Sequence, residues 1–220
     1  MVGIMNKKIW ILDLDGTAAD TVGSIAHTAN TVLEELGLPT HPVKNYNYYA
    51  GDGQFEIVKR ALRAAGDEEL RNYDVAMARY IELFKTGCTY GVKPVDGLKE
   101  ALLSAKEAGI KLAILTNKRH VNAIEVVEYA YGKGFFDYIL GNMDEFPKKP
   151  APDGVYRILE HFAMNKEDCL YVGDTDVDMQ TGNNAGVYTV GVTWGFRDRK
   201  ELEDNNADII IDRPEQLLEI

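Results

Sequence analysis

Five short apolar runs punctuate the chain: KIWIL (8–12), KLAIL (111–115), CLYVGD (169–174), YTVGV (188–192) and ADIIID (207–212). Bounded by charge or glycine, runs of this length read as buried strands. Between them the spacing changes. In 97–109, Leu98, Ala101, Leu102, Ala105 and Ala108 recur at three- and four-residue steps and Gly109 supplies a stop, the mark of an amphipathic helix. Segments 119–131, 153–162 and 176–185 read as further helices, the last ended by Gly186. Strands alternating with helices predict right-handed βαβ units. The expected class is α/β: a Rossmann-like three-layer core around a central parallel sheet.

Residues 21–90 break that alternation. The segment 24–36 places Ile25, Ala29, Val32, Leu33 and Leu36 on one face before Gly37. After LPTHP come two more helical patterns, about 53–65 and 67–85, separated by Gly66. A helical block after the first strand of a sheet predicts an inserted cap domain over 21–90, with 1–20 and 91–220 forming the core domain.

Composition narrows the function. With 24 Lys plus Arg against 35 Asp plus Glu, the formal net charge is −11. There is no basic, aromatic-interleaved patch, so a nucleic-acid partner is excluded. A small anionic substrate therefore needs a local positive site or a metal ion. No apolar run approaches the ~20 residues that span a bilayer. Cys88 and Cys169 lack CxxC spacing, which with the plain opening MVGIMNKK reads as a reduced, cytoplasmic compartment. His27, His41, His120 and His161 form no ligand-spaced pair.

Ligands of open α/β sheets bind at the carboxyl ends of the strands. Four suggestive groups fall there: Asp13 with Asp15, Thr116 with Asn117, Lys149, and Asp174 with Asp178. Singly, each has a bland explanation: a solvated turn, a helix cap, a surface lysine, acids at a helix N-terminus. In this order on successive strand ends they form a site. Two carboxylates one residue apart repel unless something positive lies between them.

The chain resembles the haloacid dehalogenase (HAD) superfamily of phosphatases with a type 1 helical cap. DLDGT matches its first motif, LTN the second, the lysine of KPAPD the third and GDTDVD the fourth. The segments YAGDGQFEIVKRAL (49–62), GVKPVDGLKEAL (91–102) and LTNK (115–118) are similar to bacterial phosphoglycolate phosphatases. The resemblance implies a Mg²⁺-dependent phosphomonoester hydrolase, acting on a small phosphorylated metabolite such as 2-phosphoglycolate, as a monomer or homodimer. It implies Asp13 as nucleophile and Asp15 as general acid and base. Gly16, Thr116, Asn117 and Lys149 would hold the phosphoryl group. Asp13, the Asp15 carbonyl and Asp174 would hold the metal, with Asp178 in an outer shell and Asp176 an open question. In the cap, Tyr49, Asp52, Gln54 and Arg60 are candidates to face the leaving group; Arg60 either binds a substrate carboxylate or forms a surface ion pair.

Where the family has DGTLxD, this chain has Ala18 and Ala19 before Asp20. Asp15 argues for phosphomonoester chemistry over dehalogenation. It leaves open a phosphomutase of the β-phosphoglucomutase type, a pyrophosphatase or nucleotidase, and a receiver-type phospho-acceptor module.

Overall fold

The structure, a computed structural model, describes residues 7–220, so most of the opening MVGIMNKK lies outside the described residues. Six parallel strands make the central sheet: β1 (Ile9–Leu12), β4 (Lys111–Arg119), β5 (Tyr138–Asn142), β6 (Cys169–Gly173), β7 (Tyr188–Val192) and β8 (Ile209–Ile211), in the order β5-β4-β1-β6-β7-β8. Strand alternation sorts the core onto two faces. Trp10 and Leu12 of β1 join Leu112, Ile114, Leu170, Val172, Val190 and Val192 on one face, which α5 (Leu98–Glu107) and α6 (His120–Tyr131) cover. Ile9 and Ile11 join Ala113, Cys169 and Tyr171 on the other, under Val155, Ile158 and Leu159 of α7 (Asp153–His161). Burial of both faces is why these strands read as unbroken apolar runs. Each buried Leu, Val or Ile contributes about 1.5–3 kcal/mol.

The predicted strands and helices fall close to their expected positions, with three differences. Strand β4 runs on past KLAIL to Arg119, with a register irregularity against β5 between Leu115 and Arg119. YILGN, too mixed to read as a strand, is β5 at the sheet edge. The pattern expected from 67 begins as a helix only at Tyr73. Asp67 first closes a turn, accepting from the Arg71 and Asn72 amides at 2.8 and 2.9 Å.

Between β1 and β4 lie the helices α1 (Val22–Glu35), α2 (Tyr46–Tyr49), α3 (Gln54–Ala64) and α4 (Tyr73–Gly87). The chain leaves the sheet along β2 (Ala19–Asp20) and returns along β3 (Lys93–Pro94), and these two pair antiparallel. Ala18 and Ala19 are fully buried in that turn, where the Tyr131 hydroxyl donates to the Ala18 carbonyl at 2.6 Å.

Four cap carbonyls are held from the sheet side. Arg197 donates to the Asn47 carbonyl, and to Ala50 O at 3.1 Å. Asn117 donates to Gly51 O at 3.0 Å and Lys148 to Asp52 O at 2.8 Å. The helical block is thereby fastened over the carboxyl ends of β1 and β4.

Candidate active site

Register places the chemistry. Leu12 pairs with Ile114 of β4 and with Val172 of β6. One or two residues further on, Asp13, Thr116 and Asp174 therefore emerge side by side at the switch in strand order. The Asp13 amide donates to Val172 O at 2.9 Å, extending β1 up to the acid itself.

Asp13 and Asp178 share one cation. The buried Lys149 ammonium lies 2.7 Å from an oxygen of each. Asp178 opens α8 (Asp176–Ala185), where TDVD builds a capping box: the Thr175 hydroxyl accepts from the Asp178 amide while the Asp178 carboxylate accepts from the Thr175 amide. It also accepts from the Asp174 amide, the Thr175 hydroxyl and the Tyr171 hydroxyl. So many donors fix Asp178 as a brace. Asp174 accepts from the Thr17 hydroxyl at 2.5 Å and from the Phe196 amide at 2.7 Å.

Two glycines let backbone pass beside Asp174. Gly16 has φ +88°, and a Cβ there would sit 2.5 Å from an Asp174 oxygen; a Cβ on Gly195 would collide with the same carboxylate. Gly16 thus keeps the loop clear of the acid cluster and supplies a backbone conformation that other residues adopt at a cost.

Carboxylate oxygens of Asp13, Asp174 and Asp178 lie within 4.8 Å of one another. An all-oxygen, all-anionic set suits a hard divalent cation such as Mg²⁺. Asp15 does not send its carboxylate to that cluster: it accepts from Thr21 at 2.6 Å and from Lys118 at 2.7 and 3.0 Å. Asp176 stands outside the cluster beside Glu201.

Burial is the main reason the Asp13 carboxyl is pushed up to about 7, with Asp178 and Asp15 adding to it and Lys149 opposing it. Burial followed by the Asp178 and Asp13 charges raises Asp174 well above the carboxylate range. Although burial disfavours its charge, Lys149 is held well above the usual lysine range by Asp13 and Asp178.

Thr116, Asn117 and Lys118 line a small cavity of about 30 Å³ between cap and sheet, together with Asp13, Asp15, Gln54, Tyr80 and Arg119. Asn117 ties two walls together: its side chain accepts from the Lys149 amide at 2.9 Å and donates to the Gly51 carbonyl. Of the cap candidates, Gln54 lines this cavity, whereas Tyr49, Asp52 and Arg60 are not among its lining residues. Arg60 pairs with Asp52 at 2.5 Å and donates to the Tyr49 carbonyl at 2.9 Å. Lys118, Arg119, Tyr80 and Arg197 were not singled out from the sequence. The TNK run placed Lys118 one step beyond a strand-end pair, a signal that was readable; the other three carry no local signature.

The family profile of haloacid dehalogenase-like hydrolases matches residues 10–192. The chain is 30% identical to the phosphoglycolate phosphatase of Aquifex aeolicus over 217 residues, covering 97% of this chain and 96% of that one. It is 31% identical to that of Neisseria meningitidis, covering 89% and 84%. A crystal structure from Lactobacillus delbrueckii subsp. bulgaricus superposes with a TM-score of 0.87 at 28% identity, over 97% of this chain and 98% of the other.

The chain belongs to the haloacid dehalogenase-like hydrolases. Within that family it is a phosphatase, and its Asp13, Asp174 and Asp178 cluster is consistent with a divalent-metal site. Among the described residues, no helix is long and apolar enough to cross a membrane.

Adding metal is expected to stabilise the protein, and more so at high pH. Asp13 and Asp174 bind protons more tightly folded than unfolded. Without metal, their contribution to stability is complete below the ordinary carboxylate value of 3.8; the Asp13 part is lost as pH rises through about 7, and the Asp174 part, whose carboxyl is also raised, is lost as it ionises. A cation restores it by replacing the protons. At a hundredfold excess over Kd the gain is about 2.7 kcal/mol, or roughly 5–10 °C for a chain of this size. Thermal melts with Mg²⁺ and with EDTA at pH 5 and pH 8 should show the larger metal shift at pH 8; equal shifts would mean the carboxylates are not its site.

Proposed function

We propose that this phosphatase is Mg²⁺-dependent and hydrolyses a small carboxylated phosphomonoester, 2-phosphoglycolate foremost, through an aspartyl-phosphate on Asp13. The observation that carries this reading is the placement of Asp13 at 2.7 Å from Lys149, within an acid cluster, at the floor of a small cavity that also presents Lys118 and Arg119. The names of the relatives support the substrate.

Asp13 and Asp174, with Asp178 bracing, would hold Mg²⁺, which would supply positive charge to the carboxylates and the phosphoryl oxygens. The remaining work falls to the chain. A free Asp13 oxygen attacks phosphorus, forming an acyl-phosphate bond as the bond to the leaving oxygen breaks. Lys149 offsets the charge gathering on the transferring group and on Asp13, and the Thr116 hydroxyl and Asn117 amide hold phosphoryl oxygens.

Asp15 protonates the leaving oxygen, then takes a proton from water as that water attacks the phosphoenzyme and regenerates Asp13. In the resting fold Asp15 is held in place by Thr21 at 2.6 Å and by Lys118 at 2.7 and 3.0 Å.

Phosphate release measured on a panel of 2-phosphoglycolate, β-glucose 1-phosphate, nucleoside monophosphates and pyrophosphate, with Mg²⁺ and with EDTA, tests the reading. Metal-dependent release with 2-phosphoglycolate far ahead is expected. Preference for a hexose phosphate or a nucleotide would overturn the substrate, and no release from any would overturn the activity.

A further inference from the structure

Tyr80 sits on α4 and lines the cavity together with Asp13, Asp15 and Lys118. It is 1% exposed, its ring stacks on Phe84 at 5.1 Å, and its hydroxyl finds no hydrogen-bond partner among the described residues. Other buried phenols in this chain are satisfied. Tyr46 donates to Asn30, Tyr131 to the Ala18 carbonyl and Tyr171 to Asp178. A buried polar group without a partner costs stability, and a phenylalanine would fill the same volume without that cost. The hydroxyl therefore has a use that the resting fold does not show.

The surroundings indicate the class of partner. Lys118 and Arg119 line the same cavity, where Lys118 holds the Asp15 carboxylate and Arg119 pairs outward with Asp144, so carboxylates are the class of group this end of the cavity already accepts. A tyrosine hydroxyl, with an ordinary pKa of about 10, keeps its proton at neutral pH and can donate it to such a group.

We propose that Tyr80 is a specificity-determining residue whose hydroxyl donates to an anionic group, a carboxylate, on the leaving group of the substrate. This rests on the phosphatase reading above. It assigns recognition to α4 and the end of β4, where the sequence had pointed to Arg60 and its neighbours. Arg60 is already engaged by Asp52 and the Tyr49 carbonyl.

The test compares 2-phosphoglycolate with ethyl phosphate, which replaces the carboxylate by a methyl group, in the Mg²⁺-loaded wild type and in Tyr80→Phe. The ratio of the two kcat/KM values in the wild type reports on the substrate reading. Its change in the variant reports on Tyr80. A hydrogen bond to a charged group is worth roughly ten- to a hundredfold. Tyr80→Phe should lower kcat/KM for 2-phosphoglycolate by about that factor, leave ethyl phosphate nearly unchanged, and melt at or above the wild-type temperature. An equal loss on both substrates, an unchanged ratio, or a lower melting temperature with uniform loss would overturn the proposal.

If the wild type shows no preference for the carboxylate, the substrate reading fails by itself. Tyr80 is then judged on the best anionic substrate of the panel against ethyl phosphate. A ratio that falls in the variant supports the proposal and one that stays constant overturns it.

Discussion

Asp13→Asn is expected to abolish turnover, lowering kcat by on the order of 10⁵-fold or more, as loss of a covalent nucleophile does elsewhere. The substitution is nearly isosteric. An amide oxygen still accepts from Lys149, which approaches Asp13 at 2.7 Å, but an amide cannot carry the phosphoryl group as an acyl phosphate. The fold should not suffer. Asp13 is buried, and its ionised form is disfavoured there by burial and by Asp178 and Asp15. Removing its charge relieves that repulsion, so the metal-free variant at pH 8 should melt no lower than wild type. Single-turnover kinetics and a thermal melt check both statements. A residual rate of a few per cent would show that Asp13 is not the nucleophile.

Lys149→Met carries the largest expected effect on stability. The Lys149 ammonium is the shared partner of Asp13 and Asp178, and methionine keeps most of the volume while deleting the charge. Breaking a buried pair from one side costs about 3–5 kcal/mol, because the partner charge stays buried and uncompensated. Here two carboxylates are left, with Asp174 close by. Metal should recover part of the loss, since it supplies positive charge to the same oxygens. Activity should fall by roughly 10²–10³, the usual cost of removing one preorganised charge stabiliser. Melts with EDTA and with saturating Mg²⁺ give the comparison. A variant as stable as wild type in EDTA would mean that the carboxylates are protonated in the resting protein and do not need the lysine.

The parts of this molecule legible in the sequence are those with a local or periodic signature. Strand β1 was visible because both of its faces are buried, so no polar residue interrupts Ile9–Leu12. The TDVD box that caps α8 is legible because its partners are neighbours in sequence, and the acid pair at 13 and 15 because it stands at the end of β1.

What escaped depends on contacts across long stretches of chain. Lys118 meets Asp15 across 103 residues, and Arg197 meets the Ala50 carbonyl across 147. Arg197 has no spacing rule to betray it, and the TNK run marks the place of Lys118 at the strand end but not its partner. The Gly195–Phe196 segment, which closes over Asp174, was invisible likewise. Tyr80 was hidden within an ordinary helical pattern; only packing shows that its hydroxyl is unpaired while its ring is buried. For Arg60 the sequence left two readings open, a substrate carboxylate or an ion pair, and in the structure it pairs with Asp52 within the cap itself.

The most direct test of the central claim is to trap the phosphoenzyme. Asp15→Asn, which slows water attack, would be mixed with Mg²⁺ and p-nitrophenyl phosphate, whose leaving group needs no acid. Acid quenching and borohydride treatment reduce an aspartyl-phosphate to homoserine, which peptide mass spectrometry locates. The account predicts conversion at Asp13 that is absent when EDTA replaces Mg²⁺. Phosphate release without modification at Asp13, or modification at another carboxylate, would contradict it.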